Sequence, residues 1–216
     1  MELELGPRKR PAQVVRDNRS PMQAPRGRVA LGEKLPQTFA PVGRNKKHNR
    51  FLLFEEQSIM KIDVKPRSFF ESIKGTLTEK EILATHRVIS IVSSNGDDTE
   101  PPFSQEALAS PNLLCMVFDD VIEGADKVFT QFTEADAKAI LDFVCDDSMP
   151  VIVHCSAGIA RSGAVGEALD AYFNCFRTRN EEDHQWFLQK NKQIRPNTLV
   201  KRLLMREIYA RPVENT

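Results

Sequence analysis

One segment constrains the fold of this chain more than any other. Val151-Ile152-Val153 is a short run of β-branched residues with Pro150 in front of it. Directly behind it comes His154-Cys155-Ser156-Ala157-Gly158-Ile159-Ala160-Arg161-Ser162, and then Val165, Ala168, Leu169 and Tyr172 recur at helical spacing. An apolar strand, a tight loop of small residues and an amphipathic helix in direct succession form the strand–helix unit of a parallel sheet covered by helices.

The rest of the chain repeats that alternation. Ser58 to Val64 alternates in strand fashion, and Thr78-Glu79-Lys80-Glu81 fits a capping box opening a helix through about Thr85. Val88 to Val92 and Leu113 to Phe118 read as buried strands, with Asn95-Gly96-Asp97-Asp98 and Pro101-Pro102 in the loop between them. Thr133 caps a helix whose residues Ala137, Ile140, Leu141 and Val144 share one face. Helical stretches over about 181–190 and, behind an Asn197 cap, 198–209 close the chain. The predicted fold class is α/β: one domain over residues 51–212, with a central, mostly parallel sheet flanked by helices. A chain of 216 residues has length for one sizeable core of this kind and little more.

Residues 1–48 differ in character. The first fifty residues hold twelve Lys/Arg against four Asp/Glu and take six of the thirteen prolines, without apolar periodicity. They read as a disordered basic arm. Its charge suits a weak electrostatic partner, nucleic acid or acidic lipid; a solvated tail without a partner is the simpler account. The whole chain has a formal net charge of zero, so no overall charge argues for either partner. No apolar run approaches the ~20 residues that span a bilayer, and no apolar stretch of signal-peptide length follows Met1, so the expected location is the cytoplasm. Cys115, Cys145, Cys155 and Cys175 match no metal-binding spacing. Three of them are expected as reduced core thiols; Cys155 is set apart by its loop.

That loop has the chemistry of an anion site. The small residues Ser156, Ala157, Gly158, Ile159 and Ala160 let consecutive backbone N–H groups turn inward around one phosphate. The following helix adds its N-terminal dipole, and Arg161 supplies a bidentate fork. The same field favours the thiolate of a cysteine at the loop's start, which is its nucleophilic form. Ser162, at the first turn of the helix, has a hydroxyl able to donate to the Cys155 sulfur and ease its departure. His154 is expected to orient the loop through hydrogen bonds rather than to carry a proton.

The arrangement resembles the signature loop of protein tyrosine and dual-specificity phosphatases, His-Cys-x-x-Gly-x-x-Arg-Ser/Thr. His154, Cys155, Gly158, Arg161 and Ser162 match every fixed position. Five fixed letters over about 200 windows give a chance match on the order of 10⁻⁴. In outline the chain looks like the small bacterial and phage-type dual-specificity members. The resemblance implies hydrolysis of phosphotyrosine, with phosphoserine and phosphothreonine as further substrates, through a phosphocysteine on Cys155. It implies no metal and no organic cofactor. It also implies a general-acid aspartate on a loop upstream of the signature. Asp119 and Asp120 follow the strand Leu113 to Phe118 and occupy that place. Asp120 is preferred because it lies further into the loop, with Asp119 in a supporting role and Glu123 and Asp126 as weaker candidates.

The departures from the family are informative. The long catalytic domain and Trp-Pro-Asp acid loop of the tyrosine-specific enzymes are missing, and Trp186 lies after the signature. Ala160 stands where many dual-specificity members carry Ser. Residues 156–160 contain no lysine, which argues against a polyanionic substrate. Two alternatives stand beside a protein phosphatase: a small-molecule phosphomonoesterase of the same superfamily, and a phosphate-binding module without turnover.

Overall fold

The computed structural model describes residues 59–124, 126–144, 149–178 and 181–211. The expected arm over residues 1–48, the start of the predicted domain and Cys145 lie outside them.

The sheet has four strands, β1 (Ile62–Pro66), β2 (Arg87–Val92), β3 (Leu113–Val117) and β4 (Val151–Cys155). All are parallel, in the order β1-β4-β2-β3. The two central strands are the most continuously buried, because a strand with neighbours on both edges and helices on both faces has no solvent side. All five residues of β4 are buried, as are Val88 to Val92 of β2. The edge strands β1 and β3 keep partly exposed positions, and Pro66, which cannot donate to a ladder, ends β1 at the edge.

Helices cover both faces. Val88 of β2 and its register partner Ile152 of β4 turn to one side, against Phe70 of α1 (Arg67–Ile73) and Leu83 of α2 (Leu77–Thr85), together with Phe103 and Ala107. Ile89 and its partner Val153 turn to the other. There they meet α3 (Glu134–Val144), α4 (Arg161–Asp170) and α6 (Thr198–Ala210), with Phe187 of α5 (Glu181–Lys190). Every residue of α4 is buried. The close seating of α4 on the sheet needs Gly166, where an added Cβ would stand 2.6 Å from Val64 Cγ2. The helix then widens into a π turn over Ala171–Phe176. In that turn the Asn174 side chain clamps the chain entering β1, accepting from Met60 N and donating to Met60 O, both at 2.8 Å.

The predicted elements are present with several differences. β1 lies later than the 58–64 alternation suggested. Helix α1 was not expected: seven residues are two turns, too short to show a period, and its ends rest on Pro66 and on an Arg67–Glu71 pair at 2.6 Å. The Thr78 capping box is replaced. The N-cap of α2 is Thr76, and Glu79 turns inward, where its carboxylate accepts from Gly75 N at 3.0 Å, Ser104 N at 3.1 Å and Ser104 Oγ at 2.6 Å. Three donors compensate the burial of a charge that an exposed capping glutamate would not incur. Tyr172 is only half-buried, whereas Val165, Ala168 and Leu169 are in the core. The Cys115 side chain is exposed and Cys175 half-buried, so neither is a core thiol; both are free of disulfides.

Candidate active site

In an open parallel sheet, loops at the carboxyl ends of neighbouring strands converge, and ligands bind where they do. Here those loops follow β2 (residues 93–98), β3 (118–130) and β4 (156–160), beside the β1–α1 junction at Pro66 and Arg67.

The β4–α4 loop is built on backbone contacts. Three of its carbonyls are held by N–H groups outside it: Arg67 N donates to Ser156 O, Arg195 N to Ile159 O and Asn197 N to Ala160 O, each at 3.1 Å. Gly158 has φ +73°, and a Cβ there would stand 2.8 Å from Pro66 N and 2.9 Å from Lys65 C and O. Only glycine meets both conditions. Cys155 ends β4 and is buried, as is Ser162 in the first turn of α4; Cys155 Sγ lies 3.0 Å from Ser162 Oγ. Ser156, Ala157 and Ile159 are exposed, so the loop's rim meets solvent while the sulfur sits behind it.

Arg161 is buried, and four acceptors fix its guanidinium. Nη1 donates to Ser93 Oγ and to Phe118 O, both at 2.9 Å. Nη2 donates to Ser156 Oγ at 2.7 Å and to the Asp98 carboxylate at 3.3 Å. The fork therefore folds back onto the residue after Cys155 instead of pointing away. Asp98 also accepts from Ser156 Oγ. Burial opposes its charge, but hydrogen bonds from Ser156 and Ser93 and the neighbouring guanidinium outweigh it, holding the carboxyl below the usual carboxylate range.

The two aspartates after β3 part company. Asp119 is buried, and its carboxylate accepts from Ser94 N at 3.0 Å, from Ser94 Oγ and from Thr130 N at 2.8 Å. Burial raises its pKa; the hydrogen bonds from Ser94 and Thr130 and the charge of Arg161 outweigh that and hold it below the ordinary value. It ties the β2 and β3 loops together as an ion. Asp120 is exposed, and its Oδ1 accepts from Asn197 Nδ2 at 2.7 Å.

His154 departs from expectation. It is fully buried, with its ring 4.7 Å from that of Phe70 and 5.7 Å from that of Phe103. Among the described residues neither ring nitrogen meets a hydrogen-bond partner at good geometry, so the expected side-chain hydrogen bonds to the loop are not seen; the nearest polar influence on the ring is the Cys155 backbone. Loss of solvent outweighs the Cys155 backbone, which favours the charged ring, and together with the smaller effects of the Arg67 and Arg161 charges brings its pKa down to about 4, leaving a neutral ring at physiological pH.

Three residues of the site were not singled out from the sequence as site residues. Ser93 is one serine among many. Asp98 was legible only as part of an acidic turn, and Asn197 only as a helix cap. Among the described residues no group of three or more His, Cys, Asp or Glu is placed to hold a metal, and no helix is long and apolar enough to cross a membrane.

No family model and no curated protein matches the chain. Solved structures of similar outline exist. The structure of Tk-PTP in the active form is 16% identical, with a TM-score of 0.39 over 70% of this chain and 91% of that one. PTPMT1 is 16% identical, with a TM-score of 0.43 over 72% and 96%. Human DUSP28 is 14% identical, with a TM-score of 0.37 over 69% and 92%.

Proposed function

We propose that this chain is a cysteine-dependent phosphomonoester hydrolase that acts through a phosphocysteine on Cys155. The observation that carries the reading is the arginine fork. Arg161 sits at the end of a loop whose carbonyls are drawn outward, with Nη2 turned back to Ser156 and Ser162 Oγ 3.0 Å from the sulfur. A phosphate dianion bound there takes the amides of Ser156 to Ala160 and the Nη2 arm that Asp98 now shares.

The Cys155 thiolate attacks phosphorus, and the bond from phosphorus to the leaving oxygen breaks. Asp120, as the carboxylic acid, gives that oxygen its proton. In the second step the Asp120 carboxylate takes a proton from water, the resulting hydroxide attacks phosphorus, and the phosphorus–sulfur bond breaks. Sulfur departs as thiolate with the Ser162 hydroxyl donating to it, and inorganic phosphate leaves. The loop donors stabilise the equatorial oxygens throughout. Asp119 is the poorer acid, because three hydrogen bonds to its carboxylate favour the ion that cannot donate.

The preferred substrate is a phosphorylated protein carrying phosphotyrosine, with phosphoserine and phosphothreonine as further substrates. Exposed apolar side chains lie on both loops, Ile159 on the phosphate loop and Ile122 and Phe129 on the acid loop, which favours an aryl ester over a purely polar one. Asp98 beside the fork sets a negative charge against a second phosphate, which disfavours polyanions.

Cys155→Ser tests the proposal. Turnover of p-nitrophenyl phosphate should vanish while phosphopeptide binding, followed by calorimetry, persists. Full turnover in the variant contradicts the mechanism, and a wild-type protein that binds phosphopeptide without hydrolysing it makes the chain a binding module.

A further inference from the structure

We infer that Asn197 is the positioning residue for the general acid, and that an asparagine, rather than any other cap, is required there. The inference rests on the reading of Asp120 as the acid. Asn197 follows Pro196, is buried, and starts α6. Its backbone N–H donates to Ala160 O of the phosphate loop at 3.1 Å. Its Oδ1 accepts from Val200 N at 3.1 Å, which is the cap. Its Nδ2 faces the opposite way and donates to Asp120 Oδ1 at 2.7 Å and to Val121 O at 3.1 Å. One residue thus joins three parts: the turn that wraps phosphate, the loop that carries the acid, and the helix that supports both.

The amide can be oriented in only one way. Turned over, its oxygen would face a carboxylate and a carbonyl, and its NH₂ would face a backbone N–H. The cap alone does not need this chemistry, since Ser, Thr and Asp cap as well as Asn. The two donors aimed at the acid loop are what those residues lack at that reach. Nδ2 also leaves one oxygen of Asp120 free for the proton that the leaving group takes.

The test separates cap from donor. Asn197→Asp keeps an acceptor for Val200 N but sets a carboxylate against Asp120, and Asn197→Ser keeps the cap without the reach. Each is assayed with phenyl phosphate, a poor leaving group, and p-nitrophenyl phosphate, a good one. A general acid supplies roughly 10²–10⁴-fold, and a misplaced one forfeits about tenfold of that on phenyl phosphate but less than about threefold on p-nitrophenyl phosphate. In the Asp120→Ala background, Asn197→Ser should cost nothing further. The urea midpoint of Asn197→Ser, which brings in no charge, should stay near wild type, whereas that of Asn197→Asp should fall. Equal losses on both substrates, or a full additional loss in the Asp120→Ala background, overturn the inference while leaving the acid in place. An Asp120→Ala variant with equal losses on both substrates overturns the acid reading and the inference with it.

Discussion

Gly158→Ala is the sharpest structural test of the phosphate loop, because the molecule contains its own control. Gly75 has the same φ of +73°, but a Cβ there meets nothing within 4 Å. At Gly75 only the backbone strain is felt. A left-handed residue with a Cβ costs roughly 1–2 kcal/mol. The loss of freedom in the unfolded chain returns about 0.4–1 kcal/mol. Gly75→Ala should therefore destabilise by about 1 kcal/mol. At Gly158 the same strain is joined by contacts of 2.8–2.9 Å with Pro66 and Lys65. These are backbone atoms of β1 and cannot rotate away, so overpacking adds about 1–3 kcal/mol. The expected total of about 2–4 kcal/mol lowers Tm by roughly 5–15 °C in a domain of this size. The alternative to unfolding is displacement of the loop, and a shift approaching 1 Å costs on the order of 10²-fold in rate. Urea and thermal denaturation of both variants, with kcat/KM on p-nitrophenyl phosphate, measure each part. If Gly158→Ala is no less stable than Gly75→Ala and keeps wild-type turnover, the loop does not rest against β1 as described.

Two further outcomes follow from named contacts. His154 has its pKa lowered from 6.5 to about 4, so between those values the unfolded chain holds a proton that the folded chain does not. Stability is complete above about pH 6.5 and declines as pH falls toward 4, by about 3 kcal/mol in all, of which about 2 kcal/mol is gone at pH 5. Urea midpoints at pH 7 and pH 5 should show this slope in wild type and lack it in His154→Phe, whose ring suits the company of Phe70 and Phe103. An unchanged slope in the variant refutes the assignment. Arg161→Lys keeps the charge but not the fork that reaches Ser93, Phe118 and Ser156 together. Its kcat/KM should fall on the order of 10²-fold or more, and retention of half the activity would show that a point charge suffices.

The legible part of the fold lay in its long periods. The apolar runs of β2 and β4 and the 137-140-141-144 face of α3 are visible because burial imposes a repeat, and all are buried as expected. Helix α1 escaped because two turns carry no repeat. The inward Glu79 escaped because its partner Ser104 is twenty-five residues away, and a capping box looks the same in sequence whether or not the carboxylate is needed elsewhere.

The phosphate loop belongs to the first kind of information. Cysteine, small residues, glycine, arginine and serine stand consecutively between a strand and a helix, and that local order is enough to mark the loop, although Arg67, Arg195 and Asn197 hold its carbonyls from far along the chain. The rest of the site belongs to the second kind. Arg161 meets Ser93 and Asp98 across 68 and 63 residues, and Asp120 meets Asn197 across 77. Those pairs come together only because β2, β3 and β4 end side by side, and neither the choice between Asp119 and Asp120 nor the second task of a helix cap is written in any local pattern. Local sequence marks the loop between β4 and α4; the sheet's strand order decides which distant side chains surround it.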